Sequence, residues 1–373
     1  MFRYLFAFLL LTHGLIHLMG FVSQWHLTVT TPMTGKTLIP ISADVGTLLT
    51  RLWLVTCLGF LLALVGYLLR HEGWLAVTAC SVSLSQVLII IYWPDAKAGT
   101  LVNVFIATVL GLTYARTHFD QTTDEEAREV LAQPAVRQEV VTEKMLTGLP
   151  TPVQQWLTAS GVVGHERIHT VRLRQRGLMR TSPNGNWMPT SAEQYFSVDR
   201  PGFVWKADVR MMRFLPLAGR DKYVDGRGNM LIKALSVVPV VDAADAKTDQ
   251  GTLLRYLGEI CWFPAAALSP YIAWQPIDDT HAQATMTYKG VTARATFAFD
   301  AQHRLVSVSA LRYMGGGNKG TLQQWYIPSH AWKTLHGVTI PVKGDVTWQL
   351  PTGDFTYYQW EITDIDYNVH DLY

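Results

Sequence analysis

Charge is scarce in the first third of this chain. Among 373 residues, 31 are Lys or Arg and 29 are Asp or Glu. Only nine of them precede residue 119: Arg3, Lys36, Asp44, Arg51, Arg70, Glu72, Asp95, Lys97 and Arg116. A soluble domain averages about 25% charged residues. This chain carries 16%, against 49% hydrophobic, so an ordinary soluble first domain is excluded. Cysteine is almost missing, with Cys57, Cys80 and Cys261 alone. No CxxC and no Cys/His ligand spacing occurs, which argues against a disulfide framework and a zinc ribbon. The net charge of +2 leaves no footprint for nucleic acid. G-x-S-x-G, Walker and HExxH patterns are absent. No catalytic residue, metal or cofactor is therefore expected, and a non-enzymatic role is favoured.

Four apolar stretches fill the charge-poor part: Tyr4–Val22, Leu52–Leu69, Gly73–Pro94 and Ala98–Ala115. Each approaches the ~20 residues that cross a bilayer core. The first lacks a small-x-small cleavage site and three further stretches follow, so it reads as a retained span. The layout expected is a four-helix transmembrane domain over 1–118, a helical connector over 119–160 and a β-rich soluble domain over 161–373. Arg3, Arg70 and Arg116 fall on one side of the membrane and Lys36, Arg51 and Lys97 on the other. Arg128 and Arg137 tip the balance, which places both termini and the β-rich domain in the cytoplasm.

Ionisable residues at membrane depth face a bundle interior or a cavity. In "THGLIHLMGF", His13, His17 and Gly20 share a helix face with Gln24. His17 lies 14 residues from Arg3, Gln86 14 from Glu72, Thr56 14 from Arg70 and Asn103 13 from Arg116. At ~1.5 Å per residue these groups reach one level. A polar layer of His13, His17, Thr56, Gln86 and Asn103 is expected, centred on His17. It serves as glue between helices or as a proton or small-ligand site. A metal or haem site lacks ligands, because no carboxylate reaches that depth. "YWPDAKAGT" reads as an interfacial turn ended by Pro94.

The connector opens with Thr122-x-x-Glu125, a capping-box pattern. A second helical stretch is expected from Val136 to Leu146, and a short helix follows "LPTPV", ending near Gly161. From His169 the hydrophobic period becomes two. In "FVWKADVRMM", Phe203, Trp205, Ala207 and Val209 alternate with Lys206, Asp208 and Arg210, which describes a strand with one wet face. Tight turns predict antiparallel hairpins and about nine or ten strands. One helix, "TLLRYLGEICWFPAAALS", interrupts them. It carries Arg255, Glu259 and Trp262 at i, i+4 and i+7. The fold class expected is a membrane α-helical bundle plus an α+β domain, with a curled antiparallel sheet (an open or half barrel) around one helix. Phe196, Phe203, Trp205, Arg255, Glu259 and Trp262 are the candidate ligand-binding residues. "GGGNKG" (315–320) matches G-x-G-x-x-G but sits between strands, so it reads as a hairpin loop. Arg172, Arg174 and Arg176 share a strand face with Arg180. They form either a basic stripe for anionic headgroups or a face paired to acids. The Asp278–Asp279–His281 group reads as a solvated turn.

"HGLIHLMGF", "LSQVLIIIYWPDAKAGTLVNV", "LPTPVQQWLTASGVVG", "EQYF", "RDKYVDGRG", "LLRYLGEICWFPAAAL" and "WQLPTGDFTYYQWEITDIDYN" together resemble an uncharacterised bacterial membrane family with a domain-of-unknown-function label. The likeness spans nearly the whole chain. It implies four membrane helices joined to a soluble domain, and no catalytic residue. More remotely, the β-rich pattern is similar to half-barrel lipoprotein carriers, which work outside the cytoplasm and so pull against the topology above. A bacterial inner-membrane protein binding a membrane lipid or hydrophobic small molecule is the leading expectation. The alternatives are a tethered protein-interaction or sensory module, its protein partner unknown, and a redox or metal protein using His13 and His17.

Overall fold

The computed structural model describes residues 2–24, 34–132, 139–212, 215–315 and 320–373. The chain divides into two compact units, Met1–Thr117 and His118–Tyr373. The first holds α1 (Phe2–Gln24), α2 (Ala43–Leu69), α3 (Trp74–Ile91), the one-turn α4 (Trp93–Ala96) and the start of α5 (Gly99–Leu131). Helices α1, α2, α3 and α5 are long and apolar enough to cross a membrane.

Two boundaries differ from the reading of the charges. Helix α2 begins at Ala43, where the Ser42 hydroxyl accepts the Val45 N–H, so Arg51 lies within it rather than ahead of it. Helix α5 runs unbroken through Thr122 and Glu125 to Leu131. The capping-box pattern starts no helix there, because neither Gly nor Pro interrupts 112–133. Close packing uses small residues. A Cβ at Gly20 would collide with the Trp53 indole, and one at Gly59 with Ser81 Oγ.

The second unit holds the end of α5, a 3-10 turn (Glu143–Leu146), α6 (Thr151–Ala159) and thirteen strands with one helix among them. The strands are β1 (Thr170–Met179), β2 (Met188–Ser197), β3 (Gly202–Met212), β4 (Leu215–Val224), β5 (Arg227–Ala234) and β6 (Val238–Ala243). After α7 (Ala246–Glu259) come β7 (Ile272–Pro276), β8 (His281–Tyr288), β9 (Val291–Phe299), β10 (Leu305–Met314), β11 (Thr321–Leu335), β12 (Val338–Leu350) and β13 (Gly353–Tyr367). Among the described residues thirteen strands replace the nine or ten expected; the short edge strands β6 and β7, which lack clean alternation, account for two of the additions. The helical stretch expected over Val136–Leu146 is only the 3-10 turn at its end; residues 133–138 lie outside the described ones.

The strand order is β6-β5-β4-β3-β2-β1-β13-β12-β11-β10-β9-β8-β7, and every pairing is antiparallel. The chain starts mid-sheet, meanders to one edge at β6, and must reach the far edge at β7. Helix α7 and two 3-10 turns (Ile260–Trp262 and Pro264–Leu268) make that crossing. A twisted sheet beyond about ten strands curls, and this one curls into a half barrel around the helix, which touches β4 and β5 on one side and β9 and β10 on the other. Asp245 caps α7 by accepting the Thr248 N–H at 2.7 Å. Asp249 ties its first turn to the β4–β5 turn, accepting from Gly228 N at 2.7 Å and Arg227 Nη1 at 2.9 Å.

The expected wet face of β3 is partly covered. Val204 and Tyr195 pack against Ala127, Val130 and Leu131 of α5. Lys206 reaches Asp124 at 2.7 Å and Asp120 at 3.3 Å, and Lys222 reaches Glu126 at 2.6 Å. The basic stripe is paired across strands: Arg172 with Asp366 (2.9 Å), Arg174 with Glu193 (3.2 Å) and Arg176 with Glu361 (2.9 Å). The 315–320 segment joins β10 to β11, with Met314 opposite Thr321. No helix follows it, and residues 316–319 lie outside the described ones.

Candidate functional site

The inner face of the sheet holds a cavity of about 240 Å³ beneath α7. Its origin is readable in the helix. Arg255 and Gly258 fall at i and i+3 on the stripe that faces it, so the second position has no side chain to fill the space. Trp205, Arg255, Glu259 and Trp262 line the cavity, as do Trp325, Ile327, Val346 and Trp360. Phe196 and Phe203 do not. Both are fully buried in the core, with Phe196 centred 4.9 Å from Phe263 and 6.0 Å from Phe203. They are correctly assigned to the inner face, but they fill the sheet's interior rather than the cavity wall.

A buried polar chain crosses the cavity floor. Arg255 Nη1 meets Asp221 Oδ2 at 2.6 Å and its Nε meets Glu259 Oε1 at 2.7 Å. Gln194 Nε2 donates to Glu259 Oε2 at 2.7 Å, Gln175 Nε2 to Gln194 Oε1 at 3.2 Å, and Tyr358 Oη to Gln175 Oε1 at 3.2 Å. The Arg255 guanidinium also stacks on Phe203 and Trp205, 5.0 and 4.9 Å from their ring centres. Burial opposes its charge, yet Glu259 and Asp221 more than offset this and its pKa is raised. Burial holds the Glu259 carboxyl above the usual carboxylate range, against the pull of Arg255. Burial likewise pushes the Cys261 thiol well up, which disfavours the thiolate.

Asp221, Gln175, Tyr358 and Arg312 escaped the sequence reading. A signal existed for Gln175: the alternation that puts Arg172, Arg174 and Arg176 on one face puts Leu173 and Gln175 on the other, where a polar residue needs a partner. Asp221 stands in "RDKY" between basic residues, and nothing local shows that it points inward.

In the first unit the polar layer forms around Asn103. His13 Nε2 donates to Asn103 Oδ1 at 2.9 Å, and Asn103 Nδ2 donates to Ser85 Oγ at 3.0 Å and Gln86 Oε1 at 3.1 Å. His17 Nδ1 lies 2.8 Å from the His13 carbonyl, so it donates there; its Nε2 accepts from Ser85 Oγ at 2.8 Å. Both rings are hydrogen-bonded within the layer, and His13 is as much a member as His17. Thr56 is not joined to these groups: its hydroxyl donates to the Leu52 carbonyl of its own helix at 2.8 Å. The Gln24 side chain lies outside the described ones. Beside His13 and His17 is a second cavity, about 350 Å³, lined also by Ile16, Met19, Trp53 and Asp95. Among the described residues no group of three or more His, Cys, Asp and Glu can hold a metal ion. Asn103→Leu strips partners from His13, Ser85 and Gln86 at once. It is expected to cost about 1–2 kcal/mol, read as a lowered unfolding midpoint of the full chain in lipid nanodiscs.

Asp278 and His281 pair at 2.9 Å on an exposed turn and line neither of the cavities described above.

No curated protein matches the chain. Several solved structures align with it, three of which follow. A LolA superfamily protein from Nitrosomonas europaea shares 11% identity over 59% of this chain and 94% of its own, at a TM-score of 0.33. A DUF1329 family protein from Desulfovibrio piger shares 8% over 59% and 94%, at 0.34. A beta-barrel-like protein of unknown-function domain DUF1849 from Brucella abortus shares 7% over 54% and 98%, at 0.24. A family model matches residues 139–360, which take in every residue lining the cavity under α7, and the chain therefore belongs to the family of unknown function DUF6544.

Proposed function

We propose that the β-rich unit binds a hydrophobic ligand in the cavity under α7, as part of a protein tethered to the bacterial inner membrane by α1, α2, α3 and α5. The cavity itself carries the reading. A protein interior is close-packed, and here a helix presents Gly258, not a leucine, to the space between it and a wall of Trp205, Trp262, Trp325 and Trp360. A mostly apolar lining with a few converging polar groups is the common form of a small-molecule site.

Gly258→Phe tests this. A Cβ at Gly258 meets Ile327 Cδ1 at 3.5 Å and Trp325 Cζ3 at 3.8 Å, both ordinary contacts, so the ring enters the cavity without forcing the helix away. The probe is N-phenyl-1-naphthylamine, added to the full chain in phosphatidylcholine nanodiscs. The wild type is expected to give a saturable fluorescence rise above that of Gly258→Phe, with unchanged near-ultraviolet circular dichroism in both. Identical titrations for the two proteins would sink the reading.

A further inference from the structure

We infer that the ligand under α7 is a single-chain amphiphile with an oxyanion head, a carboxylate or a phosphate monoester, and that Arg312 receives the head. The inference rests on the hydrophobic-ligand reading above and adds the chemical class.

The first observation is a set of polar atoms with nothing to bond. Trp205 Nε1, Trp262 Nε1, Arg312 Nε and Asp221 Oδ1 are all buried without a hydrogen-bond partner among the described residues, and all four residues line this one cavity. Buried groups left unpaired are rare in native proteins and call for a missing partner. Three of the four are donors, so the missing partner is chiefly an acceptor.

The second observation is charge. Three arginines line the cavity, and two of them are paired with carboxylates. Arg220 Nε meets Glu126 Oε2 at 3.1 Å. Arg255 is held by Asp221 and Glu259. Arg312 has no carboxylate within ion-pair distance among the described residues. Its guanidinium lies over Trp325, 4.7 Å from the ring centre, and Nη1 contacts Tyr357 Oη at 3.4 Å. Tyr357 Oη also accepts from Trp325 Nε1 at 3.2 Å, so its own proton is free to point at a ligand. Gly251 of α7 borders the guanidinium: Arg312 Nε lies 3.6 Å from the position of a Cβ there, an ordinary contact. An oxyanion at this end pairs with a guanidinium and finds further donors. At the other end, Asp221 and Glu259 repel it.

The third observation is size. A volume of about 240 Å³ falls below the roughly 300–1,000 Å³ of drug-sized pockets. It suits one acyl chain and excludes the two chains of a phospholipid.

The experiment displaces N-phenyl-1-naphthylamine from the full chain in phosphatidylcholine nanodiscs with dodecanoate, dodecyl phosphate and dodecanol. At least one anion is expected to displace the probe at about 10-fold lower free concentration than dodecanol. Preference for dodecanoate assigns a fatty-acid head, and preference for dodecyl phosphate a phosphate head. Arg312→Gln is expected to abolish the preference while dodecanol still competes, and Arg312→Lys to keep part of it. Dodecanol competing as well as both anions, or an anion preference that survives Arg312→Gln, would overturn the inference and leave the hydrophobic site standing. A probe that never enters the wild type removes the site itself.

Discussion

Arg255→Ala is expected to destabilise the β-rich unit by about 3–5 kcal/mol, because it leaves buried charge without its partner. Asp221 is 1% exposed and Glu259 12% exposed. With the guanidinium gone, two carboxylates share a desolvated floor with only Gln194 donating to Glu259. The sign of the pH dependence follows. A buried carboxylate without a cation has its folded pKa raised above the unfolded value, near ~3.9 for Asp and ~4.3 for Glu. Such a group favours the folded state when protonated, and this advantage is lost as pH rises from the unfolded toward the folded pKa. The deficit of Arg255→Ala is therefore largest near neutrality and shrinks on acidification. Glu259 in the wild type has the same sign, its pKa being raised by burial. Unfolding of the full chain in nanodiscs, followed by near-ultraviolet circular dichroism at two pH values, measures both quantities. An equal deficit at pH 5 and pH 8 would count against the buried-pair account. Adding Asp221→Asn and Glu259→Gln to the variant is expected to restore part of the loss.

Phe196→Ala is expected to cost a similar ~3–5 kcal/mol, the range for emptying an aromatic site in a packed core. The ring sits among Phe203, Tyr256, Trp262 and Phe263, with centroid separations of 6.0, 6.2, 6.4 and 4.9 Å. The prediction separates two roles that the sequence confuses. A cavity-wall residue loses ligand affinity on truncation and little stability. A core residue loses stability first. The measurements are the unfolding midpoint and probe binding at a temperature where the variant is still folded. A Phe196→Ala protein of wild-type stability that no longer binds N-phenyl-1-naphthylamine would return this residue to the cavity wall.

The contrast between Phe196 and Trp205 shows what was legible. Both lie on the inner face, since Gln194 pairs with Trp205 and Phe196 with Phe203 across the β2–β3 ladder. A period of two reveals the face, because alternate side chains must point to opposite sides. It says nothing about which inner residues meet a filled core and which meet a void. That depends on where α7 crosses and which of its residues face the sheet, so Gly258 acquires meaning only when the helix is in place. The outer face of β3 was misread for a related reason. The wet face was read from Lys206, Asp208 and Arg210, and Val204 on the same face is covered by α5.

The membrane unit divides in the same way. Counting residues from bracketing charges puts His17, Gln86, Asn103 and Thr56 at one height, because rise per residue is constant along a helix. Height is one coordinate; rotation about the helix axis is the other. Asn103 turns toward His13, Ser85 and Gln86, while the Thr56 hydroxyl is spent on its own backbone. The sequence by itself determined four apolar helices, a β-rich unit with one helix, and a curled antiparallel class, since each follows from local composition and period. Only the tertiary structure decided the polar chain from Asp221 to Tyr358, the lone guanidinium of Arg312 and the void beside it. These depend on residues far apart in the chain meeting across a curled sheet, and no local pattern records which of them meet.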